Sequence, residues 1–174
     1  MKSFREKVAV ITGAGSGIGR YLAVLLAKDG ADVCVCDVNE KTLGETVAML
    51  RKYNVSVSSH ILDVSNKQSV EELPEKVIKD HGKVDLVFNN AGVGSGSYFK
   101  DMDQANWDWV MGINFEGVVN STRAFIPHMI NNSEAAIVNT SSIFGMVTVP
   151  GQTVYHATKF AVRGFTESLA LEMK

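Results

Sequence analysis

Tyr155 and Lys159 stand four residues apart, the spacing that puts two side chains on one face of a helix. An ammonium group beside a phenol favours the phenolate and draws a pKa of about 10 toward neutrality. A tyrosine so placed can give or take a proton. Tyr-x-x-x-Lys is a common pattern, so alone it carries little. Ser142 lies upstream at the end of a β-branched run, where its hydroxyl can reach the same substrate oxygen as the phenol. Asn114 falls inside a long helical stretch. There it reads either as an exposed polar residue or as one that bends the helix and holds a water.

A second constellation sits near the N-terminus. Thr12-Gly13-Ala14-Gly15-Ser16-Gly17-Ile18-Gly19 follows one β-branched run and opens a helical one. Glycines permit positive φ and close backbone approach, and a helix N-terminus offers unpaired N–H groups and a positive dipole end to a diphosphate. Ile18 stands where GxGxxG would need its third glycine, and no GxxxxGK[ST] is present, which disfavours a P-loop NTPase. A tight turn without ligand is the plainer alternative. Asp37 ends the next strand, about 20 residues after Gly17, where a carboxylate accepts from an adenosine ribose 2′-hydroxyl and repels a 2′-phosphate. Val38 and Asn39 follow it and Ser16 precedes Gly17, so no basic residue marks a 2′-phosphate site, and NAD is favoured over NADP. A helix-capping role for Asp37 is compatible with the ribose role. Asn89-Asn90-Ala91-Gly92 follows a further strand and either supports the glycine loop, faces a cofactor or simply turns the chain.

The elements that must position these groups alternate. Strands are expected at 7–12, 32–36, 56–62, 84–88 and 135–140, and helices at 17–29, 40–52, 65–80, 103–131 and 154–173. On the first helix Ile18, Leu22, Leu25 and Leu26 form the expected buried face, and Ser65 is the expected cap of the third. Buried strands alternating with helices imply βαβ units: a doubly wound α/β fold, with helices on both faces of a parallel sheet and ligand at the strands' carboxyl ends. The usual order 3-2-1-4-5-6 needs about six strands and five can be placed, so the fold is either a compact variant or lacks a strand, and a missing strand would leave the fifth as an unpaired edge.

The composition suits one folded domain, residues 1–174. Apolar residues make up 45%, charged residues 21%, and 17 Lys plus Arg against 19 Asp plus Glu leave a net charge of −2. That balance gives no pull toward nucleic acid or an anionic membrane, and no apolar run reaches the roughly 18 residues of a membrane span. Glu6 and Lys7 interrupt any signal-peptide core. Two cysteines make no disulfide framework, which points to a reducing, cytoplasmic compartment. Cys34 and Cys36 read as buried strand thiols rather than as a redox pair or metal site.

Together these segments resemble the short-chain dehydrogenase/reductase family, single-domain NAD(P)-dependent Rossmann proteins. The glycine turn is similar to the family's TGxxxGxG, Asn89-Asn90-Ala91-Gly92 to its NNAG element, Asp63-Val64 to its adenine-contacting pair, and Asn114, Ser142, Tyr155 and Lys159 to its catalytic tetrad. The resemblance implies hydride transfer between NAD(H) and a secondary alcohol or ketone. Tyr155 would be the general acid/base and Ser142 would polarise the substrate oxygen. Lys159 would lower the phenol's pKa and bond the nicotinamide ribose. Asn114 would fix a water in a proton relay. Cofactor contacts are expected at Gly13, Ser16, Gly17, Ile18, Gly19, Asp37, Asp63, Val64, Asn90, Ala91 and Gly92, with Tyr155 and Lys159. No metal is implied, and His60, His81, His128 and His156 show no ligand spacing, with His156 expected to point away from Tyr155.

The family continues past the last helix, so the C-terminal strands and the substrate lid are expected to be missing. That leaves an oxidoreductase beside a non-catalytic NAD-binding or dimerisation module. Ile143, Phe144, Met146, Val147 and Val149 form either an apolar substrate wall or a surface packed in the core or an interface. The last helix carries small residues at Ala157, Ala161 and Gly164 with Phe160 and Phe165, which suits an internal packing face or, by the resemblance, a homodimer or homotetramer interface.

Overall fold

The computed structural model describes residues 3–173. Five parallel strands run β1 (Val8–Thr12), β2 (Asp32–Asp37), β3 (Val57–Ile61), β4 (Leu86–Asn89) and β5 (Ala136–Asn139), in the spatial order β3-β2-β1-β4-β5. Between them lie α1 (Gly17–Lys28), α2 (Glu40–Leu50), α3 (Lys67–Glu71), α4 (Leu73–His81), α5 (Gln104–Met111) and α6 (Gly117–Met129), and α7 (Thr153–Glu172) follows β5. The order reverses at β1/β4, which leaves a crevice at their carboxyl ends.

The strand period of two splits each apolar run between the sheet's faces. Val8, Val10, Cys34, Cys36 and Val87 pack under Val70, Leu73 and Val77 of α3 and α4 and Phe125 and Met129 of α6. Ala9, Ile11, Val33, Val35 and Leu86 pack under Ala23, Leu26 and Ala27 of α1 and Leu43 and Leu50 of α2. Fully burying side chains of this size stabilises the fold by roughly 1.5–3 kcal/mol each. Cys34 and Cys36 are buried free thiols within this core, their sulfurs 4.0 Å apart.

Three helical expectations change. The buried face of α1 is Gly19, Ala23, Leu26 and Ala27, while Ile18 and Leu25 are 71% and 62% exposed. Small residues win the sheet-facing positions because α1 lies too close to the strands for larger ones: a Cβ on Gly19 would collide with the Gly13 carbonyl. The expected third helix divides at Glu72. Pro74 has no N–H to donate back into a preceding turn, so it stands in the first turn of a new helix. The start of α3 is capped by Asn66, which accepts from Ser69 N, rather than by Ser65. The long stretch from 103 is interrupted by a π-turn at Gly112–Glu116, between α5 and α6. β5 pairs only with β4 among the described residues, the edge position that a missing strand would leave.

Candidate active site

The carboxyl ends of β1, β4 and β5 open onto a cleft of about 970 Å³. Thr12 is the last residue of β1 and the hinge pin of its floor. Its hydroxyl accepts from the N–H groups of Asn90 and Ala91 at 3.0 and 3.1 Å. Asn90 Nδ2 in turn donates to the carbonyls of Thr12 and Gly13 at 3.1 and 3.4 Å. The segment after β4 therefore clamps the glycine turn. Gly13 is required there twice over: its φ is +66°, and a Cβ would stand 2.7 Å from Ala91 Cα.

Gly17, at φ +51°, starts α1, and a Cβ there would meet nothing within 4 Å. Ser16 occupies the capping position but its side chain makes no cap bond. The orphan N–H groups of the first turn are thus left for a ligand. Asp37 stands opposite. Its Oδ2 accepts from Gly15 N at 2.8 Å and its Oδ1 from Asn39 N at 2.9 Å. The cap of α2 is Asn39, which accepts from Thr42 N, so Asp37 braces the glycine turn instead of capping that helix. Arg20 faces away into α2. It is bonded to the Gly15 and Thr42 carbonyls and paired with Glu45 at 2.9 Å.

Of the expected cofactor residues, Gly13, Ser16, Gly17, Ile18, Asp37, Asp63, Val64, Asn90, Ala91 and Gly92 line this cleft, and so do Ser142, Tyr155 and Lys159. Gly19 lies beneath the turn and only makes room for it. Asp63 lines the cleft with one oxygen engaged by Ser65 N and Oγ at 2.9 and 2.7 Å.

Lys159 is 4% exposed, and burial pushes its ammonium below the usual lysine range. Its Nζ donates to the Thr140 carbonyl at 2.9 Å and sits 5.6 Å from the centre of the Tyr155 ring. Ser142 caps a 3₁₀ turn at Ile143–Gly145, its Oγ accepting from Phe144 N at 3.1 Å. Phe144 meets the Tyr155 ring edge-on at 6.2 Å. Asn114 is fully buried in the π-turn. It does not line the cleft: its side chain accepts from Val93 N at 2.8 Å and donates to Val93 O at 2.9 Å and Thr158 Oγ1 at 3.3 Å. These bonds to the Val93 N–H and C=O make the side chain a brace for the segment after β4. Gly92 lies beside both side chains: a Cβ there would sit at ordinary contact distance, 3.4 Å from Asn114 Oδ1 and 3.6 Å from Lys159 Nζ.

Sequence reasoning missed Thr12, Thr140, Thr158 and Gln152. Thr140 acts through its backbone carbonyl, which no side-chain pattern reveals. Thr158 does carry a signal, as the residue before Lys159 on the same helix. Ile143, Met146, Val147 and Val149 are 62%, 62%, 51% and 42% exposed, which removes core packing as their role. His156 points away from the cleft, as expected, into the loop at 144–149. Phe165 packs internally against Phe115, while Ala157, Phe160 and Gly164 form an exposed face of α7.

A model of the short chain dehydrogenase family matches residues 7–174. The chain belongs to the short-chain dehydrogenase family. It is 45% identical over 178 residues to SadH of Mycobacterium tuberculosis, covering 99% of this chain and 63% of that one. It is 36% identical to the 3-oxoacyl-(acyl-carrier-protein) reductase FabG of Thermotoga maritima, covering 96% and 68%. Among solved structures, a short-chain dehydrogenase/reductase of Burkholderia phymatum in complex with NAD superposes with a TM-score of 0.94 at 43% identity, covering 97% of this chain and 60% of that one. NAD⁺-bound xylitol dehydrogenase gives 0.94 at 33% identity, covering 99% and 66%. This short-chain dehydrogenase thus spans about three-fifths of the length of several relatives it matches. None of its described helices is long and apolar enough to cross a membrane.

Proposed function

We propose that this short-chain dehydrogenase carries the dinucleotide site and proton-transfer groups of an NAD(H)-dependent oxidoreductase acting on a secondary alcohol or ketone. The observation that carries the reading is one cleft lined at one end by an uncapped helix start and Asp37 and at the other by Tyr155, Lys159 and Ser142. The residues suit a dinucleotide. The first turn of α1, with Gly13, Ser16, Gly17 and Ile18, would hold the diphosphate, and Gly19 would keep that turn close to the sheet. Asp37 would take the adenosine ribose, Asp63 and Val64 the adenine, and Asn90, Ala91 and Gly92 the nicotinamide end. NAD is preferred over NADP because Asp37 faces the cleft and Arg20, the nearby cation, is spent on Glu45 and two carbonyls.

When bound, the dinucleotide accepts or supplies the hydride. The protein's part is the proton and the orientation. Tyr155 takes the hydroxyl proton in oxidation and returns it to the carbonyl oxygen in reduction. Lys159 holds a positive charge beside that phenol. One of its three N–H donors is committed to Thr140, and two remain for a ribose. Ser142 already accepts from Phe144 N, so its own O–H is left to donate to the substrate oxygen. Asn114 is a positioning residue, acting through Val93 and Thr158.

The exposed face at Ala157, Phe160 and Gly164 supports a homodimer or homotetramer, which light scattering of the purified protein would measure. The functional reading is tested by mixing the protein with NAD⁺ and a panel of secondary alcohols and following NADH absorbance. Turnover of at least one alcohol is expected. Failure with every alcohol, and with the matching ketones and NADH, would overturn the reading.

A further inference from the structure

His156 follows Tyr155 in sequence, yet it is 6% exposed and turned from the cleft. Both of its ring nitrogens are engaged. Nδ1 lies 2.9 Å from the Phe144 carbonyl oxygen, and Nε2 lies 2.9 Å from Val149 N and 3.2 Å from Val149 O. A carbonyl only accepts, so Nδ1 carries the proton. A backbone N–H only donates, so the 2.9 Å contact needs a lone pair on Nε2. The Nδ1–H tautomer satisfies these two shorter contacts and leaves the 3.2 Å approach of Nε2 to the Val149 carbonyl oxygen without a hydrogen.

These two bonds tie down the two ends of the segment 144–149. The segment leaves the cleft-lining residues Ser142 and Phe144 and returns to the cleft at Gln152. Its Met146, Val147 and Val149 are exposed apolar side chains that lie outside the cleft lining, between the lining residues Phe144 and Gln152. Phe144 also links the imidazole to the chemistry through the two peptide groups that flank its Cα: its C=O accepts from His156 while its N–H donates to Ser142 Oγ at 3.1 Å. The Phe144 ring lies 4.9 Å from the imidazole and 6.2 Å from the Tyr155 ring.

We propose that His156 is a positioning residue: its neutral Nδ1–H tautomer clamps segment 144–149, orients the Ser142 hydroxyl through Phe144, and holds Met146, Val147 and Val149 as an apolar wall for the substrate. The kinetic part rests on the functional reading above; the clamp is a property of the chain without substrate.

Two variants separate the bonds. In His156→Asn the amide nitrogen can replace Nδ1 as donor to Phe144 O, but nothing reaches Val149. In His156→Gln the longer side chain can place its oxygen near the Nε2 position for Val149 N, and the Phe144 bond is lost. Amide hydrogen exchange by NMR on the 174-residue chain should show Val149 accelerated about tenfold in His156→Asn with Phe144 unchanged, and the reverse in His156→Gln. In the wild type, imidazole ¹⁵N NMR should show the proton on Nδ1. With an alcohol bearing a long apolar chain, His156→Asn should raise KM about threefold to tenfold at unchanged kcat, and His156→Gln should lower kcat by a similar factor at unchanged KM. A proton on Nε2, or two variants that expose both amides alike, would overturn the clamp. Equal movement of kcat and KM in both variants would overturn its division between hydroxyl and wall. A wild type without turnover would defeat the functional reading instead, with exchange and tautomer still deciding the clamp.

Discussion

Replacing Asn114 by Ala should destabilise the protein well before it is assayed for catalysis. The amide is fully buried and makes three bonds, two to the Val93 backbone and one to Thr158 Oγ1. Thr158 Oγ1 passes the constraint on by donating to the Tyr155 carbonyl at 2.8 Å. Each such bond is worth about 1 kcal/mol net, and a donor or acceptor left dry costs about 1–3 kcal/mol. Val93 is half-buried, so water can recover part of that loss. The expected destabilisation is about 2–4 kcal/mol, which for a domain of this size lowers Tm by roughly 5–15 °C. Thr158→Val removes one of the three bonds together with the Thr158–Tyr155 bond, and should cost about 2 kcal/mol. Asn114→Asp keeps an acceptor for Val93 N but sets an oxygen against Val93 O inside the protein, so it should cost at least as much as Ala. Thermal unfolding followed by circular dichroism measures all three. An Asn114→Ala protein melting within about 2 °C of wild type would refute the reasoning, because it would mean these bonds are replaced at no cost.

Asp37→Ser should narrow the preference for NADH over NADPH by about tenfold or more, read from fluorescence titrations with each cofactor, since the repelling carboxylate is gone. Unchanged discrimination would place the ribose elsewhere. His60 is held above the ordinary histidine range first by its contact with Cys34 and then by Asp80, whose carboxylate lies 3.1 Å from Nε2, with burial opposing. Because the folded value is the higher one, its stabilisation is complete below about pH 6.5 and is lost as pH rises through the folded value. The melting difference between wild type and His60→Gln should therefore be largest near pH 5.5–6 and shrink as pH rises through the folded value. A constant difference would show that the charge plays no part.

The strands were legible because β-branched runs of buried-strand length announce themselves, and the alternation of Val8 and Val10 with Ala9 and Ile11 does not depend on what covers them. The face of α1 was not, because periodicity favours the large residues Ile18 and Leu25, whereas the close approach of helix to sheet selects Gly19 and Ala23. Pro74 was a visible break in the third helix. The π-turn had no comparable mark: it is accompanied by bonds between Asn114 and Val93, residues 21 positions apart, that no local pattern records. In the cleft, the lining positions of Tyr155, Lys159, Ser142 and the glycine turn followed from type and spacing. What escaped was the backbone's share, the Thr140 carbonyl that holds Lys159 and the Phe144 N–H that holds Ser142.

Under the proposed function the Tyr155 hydroxyl moves the proton while other groups hold the dinucleotide. The direct measurement is Tyr155→Phe, with NADH affinity by fluorescence and turnover of the best alcohol in parallel. Affinity within about threefold of wild type is expected, with turnover lower by roughly 10²–10⁴. Turnover retained within a factor of about ten would contradict this role for Tyr155.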